Sequence, residues 1–173
     1  MPAHEPPPSD PVLPPAPTEP RRRQAARILV IDGTGRVLLF RGCDPARPSH
    51  RYWFTPGGGV HPGESPAQGA ARELAEETGL RVRPDELGQP VWDEVTTFPF
   101  DGQWYRQEQQ FFVLRVPAWQ VDTAGFDQIE QSSIDDHRWW SVNELESTDE
   151  RVYPADLADV VRRVLTVREA STC

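Results

Sequence analysis

The stretch Gly58 to Leu80 reads GGVHPGESPAQGAARELAEETGL. It sets a glycine-rich turn directly before a helix whose limits the residues mark themselves. Ser65 carries the short side-chain oxygen of an N-cap, Pro66 suits the first helical position, and Gln68 stands where a capping box needs it. Gly79 supplies the stop, because glycine adopts a left-handed backbone without a Cβ penalty. At about 100° per residue, Glu73, Glu76 and Glu77 share an arc of about 100°. Ala67, Ala70, Ala71, Leu74 and Thr78 form an apolar face beside it. Gly69 falls on the acid face, where a missing side chain leaves space next to the carboxylates; that gives a reason to tolerate a mid-helix glycine costing ~1 kcal/mol relative to alanine.

A merely solvated acid face is physically allowed, since like charges three or four residues apart cost only ~0.2 to 0.5 kcal/mol per exposed pair. The glycine turn shifts the balance. Backbone brought close to a carboxylate cluster makes an oxygen-rich pocket for a hard divalent cation, and Mg²⁺ (or Mn²⁺) binds through one or two carboxylates plus substrate phosphates. Zinc would favour thiolate or imidazole ligands, and His61 in the turn reads as a surface histidine rather than a ligand.

The order Gly58, Glu64, Arg72-Glu73-Leu74, Glu76-Glu77, Gly79-Leu80 resembles the signature of the Nudix hydrolases and fills it without a departure. The resemblance implies an α/β/α sandwich with a mixed β-sheet and metal-dependent hydrolysis of a nucleoside diphosphate linked to another moiety. Carried over to this chain, Glu73, Glu76 and Glu77 look like the metal ligands, with a backbone carbonyl near Gly58 as a further contact. Arg72 would position the glutamates, and Glu64 would support the turn or the metal shell. Glu73 either ligates or accepts the proton of the attacking water. The resemblance also implies a small-molecule nucleotide substrate and a possible homodimer. The proline cue for ADP-ribose is not met at Val95-Thr96, and Phe98 stands near where dinucleoside polyphosphate enzymes carry a tyrosine. The substrate is therefore open between nucleoside triphosphates and nucleotide sugars. The competing reading is a catalytically silent Nudix-fold sensor that binds a nucleotide without cleaving it.

Working outward, Arg27 to Ile31, a turn at Asp32-Gly33-Thr34-Gly35 and Arg36 to Arg41 read as a β-hairpin. Cys43 to Arg51 reads as a polar loop, and Tyr52 to Thr55 as a short strand. Strands are expected over Gly88 to Phe98 and Trp104 to Val116, joined at Asp101-Gly102. Pro117 to Asp136 is expected as mostly loop, Arg138 to Trp140 as a strand, Val142 to Glu146 as a helical turn, and Ala155 to Glu169 as an amphipathic helix. From position alone, Arg47 and Arg51 are candidates for terminal phosphates. Trp53, Trp104 and Tyr105 offer faces for a nucleobase, although aromatics in strands are more often core. Glu108 is a further acid facing the side of Arg106, with a simple pair between the two an equal alternative. Glu130, Asp135 and Asp136 are loop acids that could close over the site or stay solvated.

The chain has 173 residues, enough for one domain with a full core. Residues 1–24 read as a disordered proline-rich tail and 25–170 as the Nudix domain. The formal charge of -9 opposes general attraction to nucleic acid or to anionic membranes. All 18 basic residues are arginine, which excludes any lysine-based mechanism. Two distant cysteines and the lack of an apolar leader point to a cytoplasmic protein.

Overall fold

The computed structural model describes residues 15–170. Its elements are β1 (Arg21–Ile31), β2 (Val37–Asp44), β3 (Arg47–Phe54), β4 (Gly57–Gly59), α1 (Pro66–Thr78), β5 (Trp92–Phe100), β6 (Gln103–Arg115), α2 (Gln128–Ser133), β7 (Ile134–Trp140), α3 (Val142–Ser147), β8 (Val152–Tyr153) and α4 (Leu157–Ala170), with a short 3₁₀ turn at Pro84–Leu87. The strands form one mixed sheet in the order β5-β6-β1-β2-β3-β8, with β4 added to β1 and β7 to β2. The β1–β6 and β3–β8 pairs are parallel and the others antiparallel.

The run Ile28-Leu29-Val30-Ile31 explains why β1 is central, since every one of its side chains is fully buried. Strand alternation sends Ile28 and Val30 to one face and Leu29 and Ile31 to the other. The first pair packs with Ala70, Ala71 and Leu74 of α1. The second packs with Trp53, Trp140, Leu157, Val160 and Val161, under α3 and α4. Helices on both faces of a mixed sheet make the α/β/α sandwich that the sequence led us to expect.

Other expectations need correction. The β1–β2 hairpin pairs only at Ile31 and Val37. A strand has two edges, and those of β2 are taken by β3 and β7 while those of β1 are taken by β6 and β4. The two strands therefore splay apart, opening the sheet beside β4. The loop expected over Cys43 to Arg51 is mostly strand, because Asp44 Oδ1 accepts the Ala46 N–H at 2.9 Å and closes a short turn between β2 and β3. The segment expected as loop over Pro117 to Asp136 contains α2 and the start of β7. Of the expected tail, residues 1–14 lie outside the described residues, and Arg21 to Gln24 belong to β1, paired with Tyr105 to Glu108. That long-range pairing leaves no local mark on the sequence. Among the described residues, no helix is long and apolar enough to cross a membrane.

Gly57 shows how tightly β4 is laid against β1. Its φ is 127°, and a Cβ there would stand 2.2 Å from the Ala26 carbonyl oxygen. No side chain fits, so the glycine backbone can lie flat between the sheet and α1.

Candidate active site

The caps read from the sequence are present in α1. Ser65 Oγ accepts the Gln68 N–H at 3.2 Å, the Gln68 side chain accepts the Ser65 N–H at 2.7 Å, and Gly79 is left-handed at φ 75°. With Leu74 fully buried, the helix turns Glu73 and Glu77 inward, at 8% and 2% exposure. Glu77 accepts the Gly57 N–H at 2.7 Å. Burial first, and the neighbouring Glu73 charge second, push the Glu77 carboxyl well above the ordinary range. Glu73 lies against the bare backbone of Gly58, where a Cβ would stand 2.6 to 2.9 Å from its carboxylate atoms.

Arg72 ties the turn to the helix. Its guanidinium donates to Glu64 at 2.8 and 3.1 Å, to Glu73 at 2.7 Å, to the Gly59 carbonyl at 2.9 Å and to Glu76 at 3.4 Å. Hydrogen bonds from Arg72, then from the His61 N–H, bring the Glu64 carboxyl down to about 2. Partly buried Arg27 donates to the Gly57 carbonyl at 2.8 Å. Of the three glycine carbonyls of β4, only that of Gly58 lies outside these guanidinium contacts among the described residues.

The third carboxylate is Glu130. Ligand oxygens of Glu73, Glu77 and Glu130 all lie within 4.8 Å of one another. Glu130 stands in the first turn of α2, and its Oε2 accepts the Asp127 N–H at 2.7 Å. The segment leading to it is anchored on the end of α1, where the Thr78 carbonyl accepts from Trp119 Nε1 at 2.8 Å and from the Asp122 N–H at 3.1 Å. Gly125 presses closer still; a Cβ there would meet the Glu76 carbonyl oxygen at 2.4 Å. The sequence placed Glu130 only among loop acids, since nothing local says where a long connection folds back. An acid three residues after a capping Asp was the one available signal.

Comparison with known proteins shows the family. Residues 21–163 match the NUDIX domain family. The chain belongs to that family. Among its relatives, the RNA pyrophosphohydrolase of Mesorhizobium japonicum is 31% identical over 54% of this chain and 60% of the relative. That of Tolumonas auensis is 31% identical over 66% of this chain and 67% of the relative. The chain thus spans about three fifths to two thirds of the length of these curated relatives. The structure of the MutT protein from Methanosarcina mazei matches with a TM-score of 0.61 at 23% identity, covering 85% of this chain and 95% of that one. At that identity the likeness speaks for the fold.

Within this Nudix domain the remaining expected residues separate. Glu76 is outside the three-acid cluster, on the exposed side of α1 beside Arg72. Arg51 is paired with Asp135, and Arg47 lies 3.7 Å from buried Asp44, so both candidate phosphate contacts face carboxylates. Trp53 is a core residue, 3% exposed, donating to Glu150 at 2.7 Å and packed edge-on against Trp140; it has no open face for a base. Trp104 is half-buried at the start of β6. Glu108 is exposed and paired with Arg106 at 2.8 Å, as the simpler reading allowed.

Gly58 offers a direct check. In Gly58→Ala the new methyl meets the movable end of Glu73 rather than backbone. We expect the fold to persist and kcat/KM to fall by about 10²-fold, the scale of a displaced catalytic group. A variant with unchanged thermal stability and unchanged kcat/KM would show that the position of Glu73 is irrelevant.

Proposed function

We propose that this Nudix protein is a metal-dependent pyrophosphohydrolase that cleaves a phosphoanhydride of a small nucleotide, a nucleoside triphosphate or a nucleotide sugar. The observation that carries the reading is the convergence of Glu73, Glu77 and Glu130 beside the glycine strand. Two of these acids are buried, and without a counter-charge burial favours the protonated form of Glu77. An all-carboxylate set fits a hard cation such as Mg²⁺ or Mn²⁺. When bound, such an ion neutralises anionic phosphate oxygens and makes water a stronger acid.

The chain's own residues do the rest. Glu73 and Glu77 would hold the ion, and Arg72 keeps Glu73 in place. In the hydrolysis, a water oxygen bonds to phosphorus, the bridging P–O bond breaks, and the bridging oxygen leaves with its electron pair on the second phosphate. The proton from water passes to a carboxylate of the cluster. Glu130, more exposed than Glu73 or Glu77, is our assignment for the acceptor. The names of the RNA pyrophosphohydrolase relatives denote cleavage of the same bond class. We place the protein in the cytoplasm with its nucleotide substrate.

The test is a panel of nucleoside triphosphates, nucleotide sugars, dinucleotides and coenzyme A, assayed for phosphate and nucleotide release with Mg²⁺, with Mn²⁺ and with EDTA. Turnover of one class that EDTA abolishes supports the proposal. Binding of a nucleotide with no cleavage under either metal would transfer the protein to the sensor reading.

A further inference from the structure

Glu130 reaches the acid cluster from a helix of six residues, too short to be stable without tertiary support. One face of β2 supplies that support. Phe40 and Gly42 stand two residues apart on the strand, so they share a face about 7 Å apart. One carries a large ring and the other no side chain, which makes a step.

Both ends of α2 rest on this step. At its start, Phe126 is set edge-on against Phe40, with ring centroids 5.6 Å apart. Phe40 is itself fully buried and lies against Phe54, so it has little room to yield. At the other end, the Ser133 carbonyl lies over Gly42, where a Cβ would stand 2.8 Å from that oxygen. The next residue, Ile134, already pairs with Gly42 in β7. The register shifts here: Arg41 faces Asp136, Gly42 faces Ile134, and Asp135 is the extra residue between them. Such a bulge bends the strand and re-aims the chain beside it. Arg41 at 2.9 Å and Arg51 at 2.5 Å hold the Asp135 carboxylate and fix the bulge.

The two ends are held by different means. The Ser133 end continues directly into a paired strand, whereas the start of α2 meets β2 through the Phe126 ring. Hydrogen bonds carry the place of that ring to Glu130. The Gln131 amide donates to the Phe126 carbonyl at 2.8 Å, and the Asp127 carboxylate accepts the Glu130 N–H at 2.8 Å. A cavity of about 280 Å³ adjoins the Phe40–Phe126 contact, so the segment has space to move once the ring is lost.

We propose that the step made by Phe40 and Gly42 positions Glu130, and that Phe126 is the positioning residue through which it acts. The proposal rests on the assignment of Glu130 as proton acceptor, and the variants separate the two. The first measurement is backbone hydrogen exchange of the whole chain, read by mass spectrometry. In Phe126→Ala, peptides covering residues 128–134 should exchange about tenfold faster or more while those of α1 are unchanged, since local opening is set by local contacts. Phe126→Leu, which keeps an apolar contact with Phe40, should retain most of the protection. Unchanged exchange in Phe126→Ala overturns the proposal, and so does an equal rise in α1, which would make Phe126 a support of the whole fold.

The second measurement uses whichever of GTP and UDP-glucose the wild type cleaves with Mg²⁺. Glu130→Gln should lower kcat by about 10²-fold or more, the scale of a lost proton acceptor. Phe126→Ala and Gly42→Ala, which disturb opposite ends of α2, should each lower kcat by about tenfold or more with KM little changed. Phe126→Leu should recover most of that loss. Phe126→Ala combined with Glu130→Gln should be no slower than Glu130→Gln alone, because a residue acting through Glu130 then has nothing left to position. An additive fall in the double variant, or full kcat in Phe126→Ala, overturns the proposal while leaving the acceptor assignment intact. Full kcat in Glu130→Gln removes that assignment and, with it, this role of the step. If the wild type cleaves neither substrate, the hydrolase reading fails, and hydrogen exchange still decides whether Phe126 holds α2.

Discussion

Glu77→Gln should lower metal-dependent kcat/KM by about 10³-fold or more, equivalent to about 4 kcal/mol of lost transition-state stabilisation. It should also stabilise the metal-free protein at neutral pH. Both effects have one cause. Glu77 is 2% exposed beside Glu73, and what offsets its burial among the described residues is chiefly the Gly57 N–H at 2.7 Å and then the charge of Arg27. Glutamine keeps an oxygen for that N–H and removes the buried charge.

The direction of the pH dependence follows from the raised carboxyl. A group whose folded-state pKa lies above its unfolded value, about 4.3 for glutamate, favours folding most at pH values below the unfolded one. That contribution is lost as pH rises from there through the folded value. In EDTA the wild-type Tm should therefore decline from about pH 4 upward more steeply than that of Glu77→Gln. Mg²⁺ should reverse the decline, adding about 2.7 kcal/mol at a concentration 100-fold above its Kd. Calorimetry across pH, with and without metal, reads all of this. A variant that keeps the full Mg²⁺-dependent rise in Tm would remove Glu77 from the metal site.

The second large effect belongs to Arg72→Met. The guanidinium contacts Glu64, Glu73 and the Gly59 carbonyl at once, with 23% of its side-chain surface exposed. Removing one partner of a buried pair costs 3 to 5 kcal/mol, and the residual exposure puts this case at about 2 to 3 kcal/mol. Urea unfolding at pH 7 measures it. The Glu64 carboxyl, held at about 2, should return toward its ordinary value in the variant. A depressed carboxyl contributes stability above its unfolded pKa and loses it as pH falls through the folded one, so the gap between wild type and variant should narrow between about pH 4 and pH 2. Arg72→Lys separates charge from geometry. An ammonium cannot make the same set of directed bonds, so it should recover part of the stability and little of the activity. Full recovery of kcat/KM by lysine would show that Arg72 supplies charge alone.

The α1 unit was legible from residues 58–80 because its determinants are local. A cap, a stop, an acid face and an apolar face are all set by neighbours within one or two turns, and each is present as read. The central position of β1 was legible in part, since four consecutive apolar β-branched or aliphatic residues need cover on both faces.

Tertiary structure decided which acids meet. Glu76 shares the acid arc of α1, yet the sheet and β4 take Glu73 and Glu77 inward and leave it outside. Glu130 is more than fifty residues from Glu73 and joins it only because Trp119, Asp122 and Gly125 pin the connection to the end of α1. The arginines divide for the same reason. Arg47 and Arg51 meet acids from β2 and β7, while Arg21 to Arg23, which look like the end of a tail, are drawn beside the site by parallel pairing with β6. Spacing along a helix follows from bond geometry and can be read from the chain. Which strand edge finds which partner depends on the free energy of the whole sheet, and only the folded molecule settles it.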